Sequence, residues 1–489
     1  MTNANLIERV AVLIEPKLPA HSSILIGLSG GVDSVVLLHL LHKLAARFSW
    51  QLSALHVHHG ISPNADAWAD FCADLCARHH ISLHIEHVDI APLRAHGIEA
   101  AARKLRHAAF SGHHCDFVAL AHHADDQAET LLLQLLRGAG ARGAGAMPLL
   151  AGCDRSPRLL RPLLHCSRRE ILDYAAAHNL RWIEDESNAD DSYPRNFLRH
   201  RLLPLLEQKF PAYRNTLGRS AQHFAEASEL LDDLARLDAA DSFSSDKTAS
   251  HSTRLPKYGS QVAGYPASER GVRSEGGEPR LEVSRLQSLP QLRAKNLLRY
   301  FLYSQGAPMP QTVQLDDMLQ QLCGARADAA VCVAFGDWEV HRYRSRVYAL
   351  RAPAGFDRGF VLSWHGEEEL DWPALNVRLH FDRMQGAGIS LAKLQRAPVM
   401  LRLRQGGETL RPHPNAATRT LKNLLQEQQV PPWQRDRLPL LFCGDELVCV
   451  VCVAIAAEYQ ASAGEAGVSV VLRPEQGVPG GKNNSSLVI

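Results

Sequence analysis

SILIGLSGGVDSVVLLHLLHKLAA, residues 23–46, decides how this chain folds. Ser23 to Leu28 is a short apolar run of the length and composition of a buried strand, and Val35 to Ala46 is apolar on one broad helical face. Between them lies Ser29-Gly30-Gly31-Val32-Asp33-Ser34. Adjacent glycines permit a tight turn and close approach of the backbone. Ser29, Asp33 and Ser34 crowd the start of the helix, where free N–H groups and the helix dipole suit a phosphate or pyrophosphate. A bare SGG triplet is no more than a turn before a helix, but the full SGGxDS run in strand–helix context points to nucleotide chemistry. No GxxxxGK[ST] run occurs, so kinase-like transfer of a γ-phosphoryl group has little support.

Outward from this stretch, strands and helices alternate. Strands are predicted at 51–57, 83–88 and 116–120, and helices at 66–78, 99–110 and 125–136, a pattern that specifies a parallel sheet covered on both faces. Ligands of such sheets sit beyond the carboxyl ends of the strands. Three polar runs fall there: SGGVDS, the His58-His59-Gly60 end of the second strand, and Ala121-His-His-Ala-Asp-Asp-Gln-Ala-Glu-Thr130. Asp126 and Glu129 are three residues apart on one helix and share a face. Acids in a first turn also offset a helix dipole, but two acids and two histidines at a strand end exceed that need. They suit Mg²⁺ or an amine.

Arg137 to Met147 is glycine-rich and carries Arg137 and Arg142, as a linker or a mobile loop over a polyanion would. Residues 182–204, WIEDESNADDSYPRNFLRHRLLP, alternate acids and bases too densely for an apolar element. Arg195, Asn196, Arg199 and Arg201 suit phosphates, and Asp185 and Asp191 suit those arginines or a cationic group; a charged exposed turn is the plainer alternative. Residues 205–240 read as helices. Residues 241–280 hold few apolar groups and are expected to be a disordered insert. Helices at 284–303 and 312–323 and strands at 330–335, 339–343 and 347–351 make a small middle domain. Beyond residue 360, Arg402, Arg404, Arg411, Arg419 and Lys422 gather around two glycines, with a helix expected at 419–428; a phosphate-binding patch is the reading preferred over a solvated face.

The 489 residues are 46% hydrophobic and 21% charged with net charge +1, a normal globular composition that neither demands nor excludes a nucleic-acid partner. No apolar run approaches the ~20 residues of a membrane span, and MTNANLIERV lacks the pattern of a secretion signal, so a cytoplasmic protein is expected. Ten cysteines scattered through so long a chain are not a disulfide scaffold. Cys449 and Cys452, placed in a strand, would point to opposite faces, and Cys72 and Cys76 read as packed helix residues; no structural metal is expected.

The SGGVDS run resembles the PP-loop of the ATP pyrophosphatases. HVHHG, GIEAAAR (residues 97–103), AHHADDQAET, RPLL (residues 161–164) and EDESNADDSYPRNFLR stand in the order seen in the bacterial tRNA(Ile)-lysidine synthetases, and the RQGGE, helical lysine and PPW of the C-terminal part resemble that family too. The resemblance implies an α/β chain: a PP-loop catalytic domain with a parallel, Rossmann-like sheet at 1–216, a mainly helical middle domain at 217–355, and a small α+β tRNA-binding domain at 360–489. It implies that ATP adenylates the C2 oxygen of cytidine 34 in the CAU anticodon of tRNA(Ile), and that free L-lysine then displaces AMP. Ser29, Gly30, Gly31, Asp33, Ser34 and His58 would bind ATP and pyrophosphate, with Asp33 on Mg²⁺. Asp33, Arg103, Asp126 and Glu129 would be catalytic. Asp126, Glu129, Asp185, Asp191 and Arg195 would position lysine. Arg137, Arg142, Arg199, Arg201, Arg402, Arg404, Arg411, Arg419 and Lys422 would bind tRNA. A homodimer is left open. Three rivals remain at this point: a tRNA thiolase, an amide-forming ATP pyrophosphatase, and a non-enzymatic binding module. The first commonly uses paired cysteines or a metal–sulfur cluster, whereas the N-terminal part here has no CxxC; the second would not need the basic C-terminal part, and the third does not explain the acids and histidines at the rim.

Overall fold

The computed structural model describes residues 4–60, 62–90, 98–152, 157–184, 190–243, 281–326, 329–352, 355 and 357–474. Two compact units result, Met1–Leu231 and Asp232–Ile489.

The first unit opens with helix α1 (Ala4–Ile14) and then runs β1 (Ser23–Gly27), α2 (Val32–Phe48), β2 (Gln51–His58), α3 (Ala65–Arg78), β3 (Ser82–His87), α4 (Ile98–Ser111), β4 (Phe117–Ala119) and α5 (Ala124–Leu136). A short α6 (Ala141–Ala144), the strands β5 (Leu150–Ala151) and β6 (Arg158–Leu160), and the helices α7 (Arg168–Ala177), α8 (Pro194–Phe197), α9 (Leu203–Lys209) and α10 (Tyr213–Phe243) follow. The sheet order is β3-β2-β1-β4-β6-β5, all parallel except β5. From β1 the chain builds outward through β2 and β3, then returns to the other side of β1 as β4. Such a reversal leaves a crevice between the carboxyl ends of β1 and β4. Ile24 and Ile26 enter the large core made with α1, α2 and α7, while Leu25 joins Leu55, Ala109, Phe110 and Val118 on the opposite face. Period-two alternation with both faces covered explains why β1 reads as a continuous apolar run. Each of these fully buried aliphatic side chains contributes about 1.5–3 kcal/mol.

The glycine-rich stretch is a packed segment rather than an open loop. Gln127 accepts from the Met147 N–H at 3.0 Å and donates to its carbonyl at 2.9 Å, and Ala144 is buried beside Leu131 and Ala221. A Cβ at Gly145 would sit 3.2 Å from Ala225 of α10. The glycines there serve close packing as well as turning.

In the second unit β7 (Leu281–Glu282), α11 (Val283–Ser288), α12 (Gln291–Ser304) and α13 (Thr312–Gly324) pack on an antiparallel sheet completed by β8 (Val331–Phe335), β9 (Trp338–Tyr343) and β10 (Arg346–Arg351). The single helix expected at 284–303 is broken at Leu289-Pro290, because proline cannot donate within a helix. A second core follows, built from β11 (Val361–Trp364), β12 (Glu369–Trp372), β13 (Val377–Gln385), β14 (Ile389–Ser390), α14 (Leu391–Leu394), β15 (Val399–Arg402), β16 (Thr409–Leu410), β17 (Arg419–Thr420), α15 (Leu421–Glu427), α16 (Pro432–Arg435), β18 (Leu440–Cys443), β19 (Glu446–Val450), β20 (Ala454–Ile455) and β21 (Ala466–Pro474). Trp433 of α16 lies against His341, Tyr343 and Tyr348, joining the two parts of this unit. Residues 244–280, most of the expected insert, lie outside the described residues, while 241–243 continue α10. Arg419 is in β17 rather than in the helix after it, and Cys452 has left its strand for a turn with φ 64°.

Candidate active site

The loop after β1 is held from behind. Gly30 has φ +88°, and a Cβ there would come within 2.6 Å of Ile183 Cδ1. The Ile183 N–H donates to the Gly30 carbonyl at 3.0 Å. Gly31 differs. It caps α2 at φ −70° in extended conformation, and the nearest neighbour of a Cβ would be Ser29 Oγ at 3.6 Å. The protein itself would accept a side chain at Gly31, so its bareness keeps space above the helix start open. Ser29 Oγ donates to Ser34 Oγ at 3.2 Å, which donates to the Gly31 carbonyl at 2.9 Å.

Asp33, in the first turn of α2, faces His123 Nε2 at 3.7 Å and Arg168 Nη1 at 3.4 Å. Its Oδ1 is buried without a hydrogen-bond partner. Burial raises its pKa above the usual carboxylate range despite His123 and Arg168. An orphaned, half-desolvated carboxylate oxygen at a helix N-terminus fits a divalent cation accompanying phosphates.

The start of α5 carries a knot of opposite charges. His123 stands at the N-cap of the helix, its backbone N–H donates to Asp126 Oδ2 at 3.1 Å, and its ring lies 3.7 Å from Asp125 and 3.4 Å from Asp126 as well as facing Asp33. Glu129 is completely buried. Arg199 grips it with Nε at 2.8 Å and Nη2 at 3.0 Å, and also reaches Asp126 at 3.3 Å. Arg195 approaches Glu129 at 3.1 Å and donates to Thr130 at 2.9 Å. Burial lifts the pKa of Glu129 in spite of Arg199. Burial pushes Asp126 the same way, but His123, Arg195 and His122 outweigh it and leave that pKa lowered. The two neighbouring acids are thus driven in opposite directions.

Three comparisons bear on the arrangement. Residues 2–206 match the PP-loop domain family, residues 281–348 the TilS substrate binding domain, and residues 399–472 the TilS substrate C-terminal domain. A tRNA(Ile)-lysidine synthase of Nitrosomonas europaea is 40% identical over 453 residues, 92% of each chain. The chain belongs to the tRNA(Ile)-lysidine synthase family. The corresponding synthase of an Azoarcus species is 41% identical over 90% of this chain and 89% of its own. Among solved structures, the U34-tRNA thiolase NcsA from Methanococcus maripaludis aligns over 46% of this chain and 79% of its own, with 19% identity and TM-score 0.39.

The other residues expected at the site are placed more widely. Arg103 is exposed on α4, close enough to act electrostatically on His107, His122 and Arg161. His58 Nε2 lies 3.0 Å from Asp66 and its ring 4.5 Å from that of His87. Asp191 is bound by His200 and Arg201, each at 2.7 Å, on its own segment. Asp185 lies outside the described residues. Arg199, read from sequence as a phosphate contact, is inside the acid knot instead. The cause is a widened π-type turn over Leu198–Leu202, which sends Arg199 toward α5 and Arg201 toward Asp191. Arg137 is exposed at the end of α5, and Arg142 is half-buried in α6. In the second unit Arg402 stacks on Phe442 at 4.0 Å, Arg404 pairs with Asp436 at 3.5 Å, Arg411 with Glu458 at 2.7 Å, and Arg419 with Glu427. Lys422 is exposed.

His123, Asp125 and Arg168 were not singled out from sequence. Asp125 accepts from the Arg168 N–H at 2.9 Å and from Arg214 at 2.5 Å, so it locks the starts of α5 and α7 to α10. The signal was present in the HHADD run, where two histidines and two acids stand together shortly after a strand. The second unit holds a group with metal-ligand chemistry. Cys332, Glu339 and His341 have donor atoms within 4.8 Å of one another, the one such cluster among the described residues. The register places Cys332 directly opposite His341, whose ring lies against Trp433.

Proposed function

We propose that this chain converts cytidine 34 of a CAU-anticodon tRNA(Ile) to lysidine, using ATP and free L-lysine. Membership of the family supports the ligase activity, and the crevice between β1 and β4 is the observation that carries the assignment of roles. The Gly30–Ser34 turn and the free N–H groups of α2 hold the β- and γ-phosphates that leave as pyrophosphate. Asp33 would hold the Mg²⁺ that accompanies ATP, and the ion would offset phosphate charge there. The C2 oxygen of the cytosine attacks the α-phosphorus, and the bond to pyrophosphate breaks. The lysine ε-amine then attacks C2, and the C2–O bond breaks with AMP as leaving group.

The amine must arrive neutral although its free pKa is about 10.4. Asp126 and Glu129 orient it, and a carboxylate of the cluster accepts the proton it loses. Arg195 and Arg199 release part of their hold on these acids when phosphate charge arrives, offsetting negative charge on the α-phosphoryl oxygens. Arg103 acts from the α4 side. Arg137, Arg142 and Arg201 in the first unit, and Arg402, Arg404, Arg411, Arg419 and Lys422 in the second, contact the RNA backbone. No described helix is long and apolar enough to cross a membrane; the reading places the enzyme in the cytoplasm, with its tRNA. The same reading keeps the three-domain division at 1–216, 217–355 and 360–489, and a homodimer as the assembly that sedimentation would check.

Chromatography of the spent nucleotide tests the reaction class. With tRNA and lysine present, AMP and pyrophosphate are expected in equal amounts, and ADP as product would exclude it. Asp33→Asn should lower turnover by about 100-fold or more, in the range seen when a charge-stabilising group is removed, with the thermal midpoint unchanged or raised because a buried charge is lost.

A further inference from the structure

A thiol, an imidazole and a carboxylate meet on one face of the β7–β10 sheet, and no step of the reaction uses them. In the hairpin of β8 and β9, Cys332 stands directly opposite His341, and Ala334 opposite Glu339. Residues two apart on a strand share a face, so these four side chains point the same way. Val331, Val333, Phe335, Trp338 and Val340 take the other face, in or against the core. Cys332 Sγ lies 3.9 Å from His341 Nε2, and that same nitrogen lies 2.8 Å from Glu339 Oε2. All three donor atoms fall within 4.8 Å of one another.

Two other pairs show what such contacts look like without a site. His380 and Glu369 also stand opposite each other on paired strands and meet at 3.2 Å, but no third donor joins them among the described residues. Cys72 Sγ lies 3.6 Å from His56 Nδ1, yet that nitrogen is bonded to the Leu28 carbonyl at 2.9 Å and the thiol is fully buried. An acid–imidazole pair and a thiol–imidazole contact each arise in ordinary packing. The β8–β9 hairpin brings both to one nitrogen. It also leaves a way in, since Cys332 is exposed and Glu339 half-buried. Ala334 has nothing beyond its Cβ to fill the space beside Glu339. On the far side of His341 stands Tyr348 of β10, and Trp433 lies against both rings, 4.4 Å from His341 and 5.1 Å from Tyr348.

A thiolate, an imidazole and a carboxylate together suit Zn²⁺, whereas Mg²⁺ and Ca²⁺ take oxygen donors. With metal–donor bonds of about 2.0–2.3 Å, the edges of a tetrahedral zinc site measure about 3.3–3.6 Å. The two distances at His341 Nε2 lie on either side of that range, so small side-chain rotations would supply three corners. We propose that Cys332, Glu339 and His341 bind a single Zn²⁺, with water at the fourth corner, and that the ion braces the β8–β9 hairpin beneath Trp433. As the Zn–S bond forms, the thiol proton goes to solvent. The imidazole binds through Nε2 and keeps its one hydrogen on Nδ1, and Glu339 exchanges its hydrogen bond to the ring for the ion. Cysteine spacing, the ground for expecting no structural metal, cannot reveal such a set, because the hairpin joins residues nine apart that are of different kinds.

The test uses the full chain, stripped with a chelator and titrated with Zn²⁺, and with Co²⁺ as a spectroscopic probe, beside Cys332→Ser and Glu339→Gln. The native protein should bind one Zn²⁺ with a Kd of about 1 µM or tighter. Co²⁺ should give a thiolate-to-metal charge-transfer band in the near ultraviolet and the intense visible bands of a four-coordinate ion, and Zn²⁺ should displace it. Cys332→Ser, at an exposed position, should abolish the charge-transfer band while every other cysteine remains. Glu339→Gln should weaken Zn²⁺ binding by about 10-fold or more, since even groups behind a metal ligand are worth that much. Zn²⁺ should raise the thermal midpoint of the native protein and leave that of Cys332→Ser unmoved. A band that survives in Cys332→Ser places the ion on another thiol. Equal Zn²⁺ affinity in the native protein and Cys332→Ser means an adventitious ion only. Either result, or no binding at about 100 µM Zn²⁺, overturns the proposal. Tight binding with an unmoved native midpoint overturns the bracing role. None of these readouts depends on the lysine-transferring reading above.

Discussion

Gly30 and Gly31 look alike in the sequence and do different work. Gly30 carries the left-handed backbone against Ile183, while Gly31 is in a conformation open to any residue, with room above it. Gly30→Ala should therefore destabilise the fold by about 1–2 kcal/mol through backbone strain. Gly31→Ala should leave the thermal midpoint within about a degree, yet raise the KM for ATP at least tenfold, because the added methyl occupies the phosphate approach. Melting curves and ATP saturation curves on the two variants check this, and matching behaviour of the pair would contradict it. Residue types at the site were legible because Ser, Gly, Asp and His at a strand end have few other uses. Their pairings were not. Nothing in the spacing of Glu129 and Arg199 says that they meet, since seventy positions separate them in the chain.

At the scale of elements, the start of α7 links stability to the site. Ser167 Oγ accepts from the Glu170 N–H at 3.3 Å while Glu170 accepts from the Ser167 N–H at 2.8 Å, a reciprocal cap. Arg168 is the next residue, and it faces Asp33. Ser167→Ala should cost about 1 kcal/mol in urea unfolding, and also lower activity, because the first turn that aims Arg168 frays. Loss of stability with full activity would separate the cap from the site. The parallel strands β1 to β4 and the helices between them were predicted within a few residues, since their apolar periodicity is strong, while the three-residue parallel strand β6 was not predicted. Short polar elements were not. The π-type turn at 198–202 has no periodic signature, and the packing of Ala144 and Gly145 against α10 depends on tertiary neighbours that a glycine-rich composition does not reveal.

Across the whole molecule, buried histidines set an acid limit. His39 accepts or donates at Tyr174 Oη at 2.9 Å, and burial first, then His178, Lys43, His79 and His42, lower it to about 4. Burial likewise takes His59 and His122 to about 4. The unfolded chain binds protons at these positions near pH 6.5, and the folded chain does not until about pH 4. Their contribution is thus complete above pH 6.5 and falls as pH drops through that window. The urea midpoint should decline from pH 7 to 5, and His39→Gln should flatten the decline; a midpoint constant over that range would contradict the account. The doubly covered sheet was readable from its alternating pattern, whereas the contact of Trp433 with His341, Tyr343 and Tyr348 joins segments no local signal connects. The central claim is that a crevice between β1 and β4 couples ATP cleavage to lysine transfer onto one base of one RNA. Incubation with ATP and radiolabelled lysine, separately with tRNA(Ile) bearing CAU and with the methionine tRNA of the same anticodon, tests it most directly. Label that survives nuclease digestion at cytidine 34 of the isoleucine tRNA alone is the predicted result, and AMP release without stable label in either RNA would contradict it.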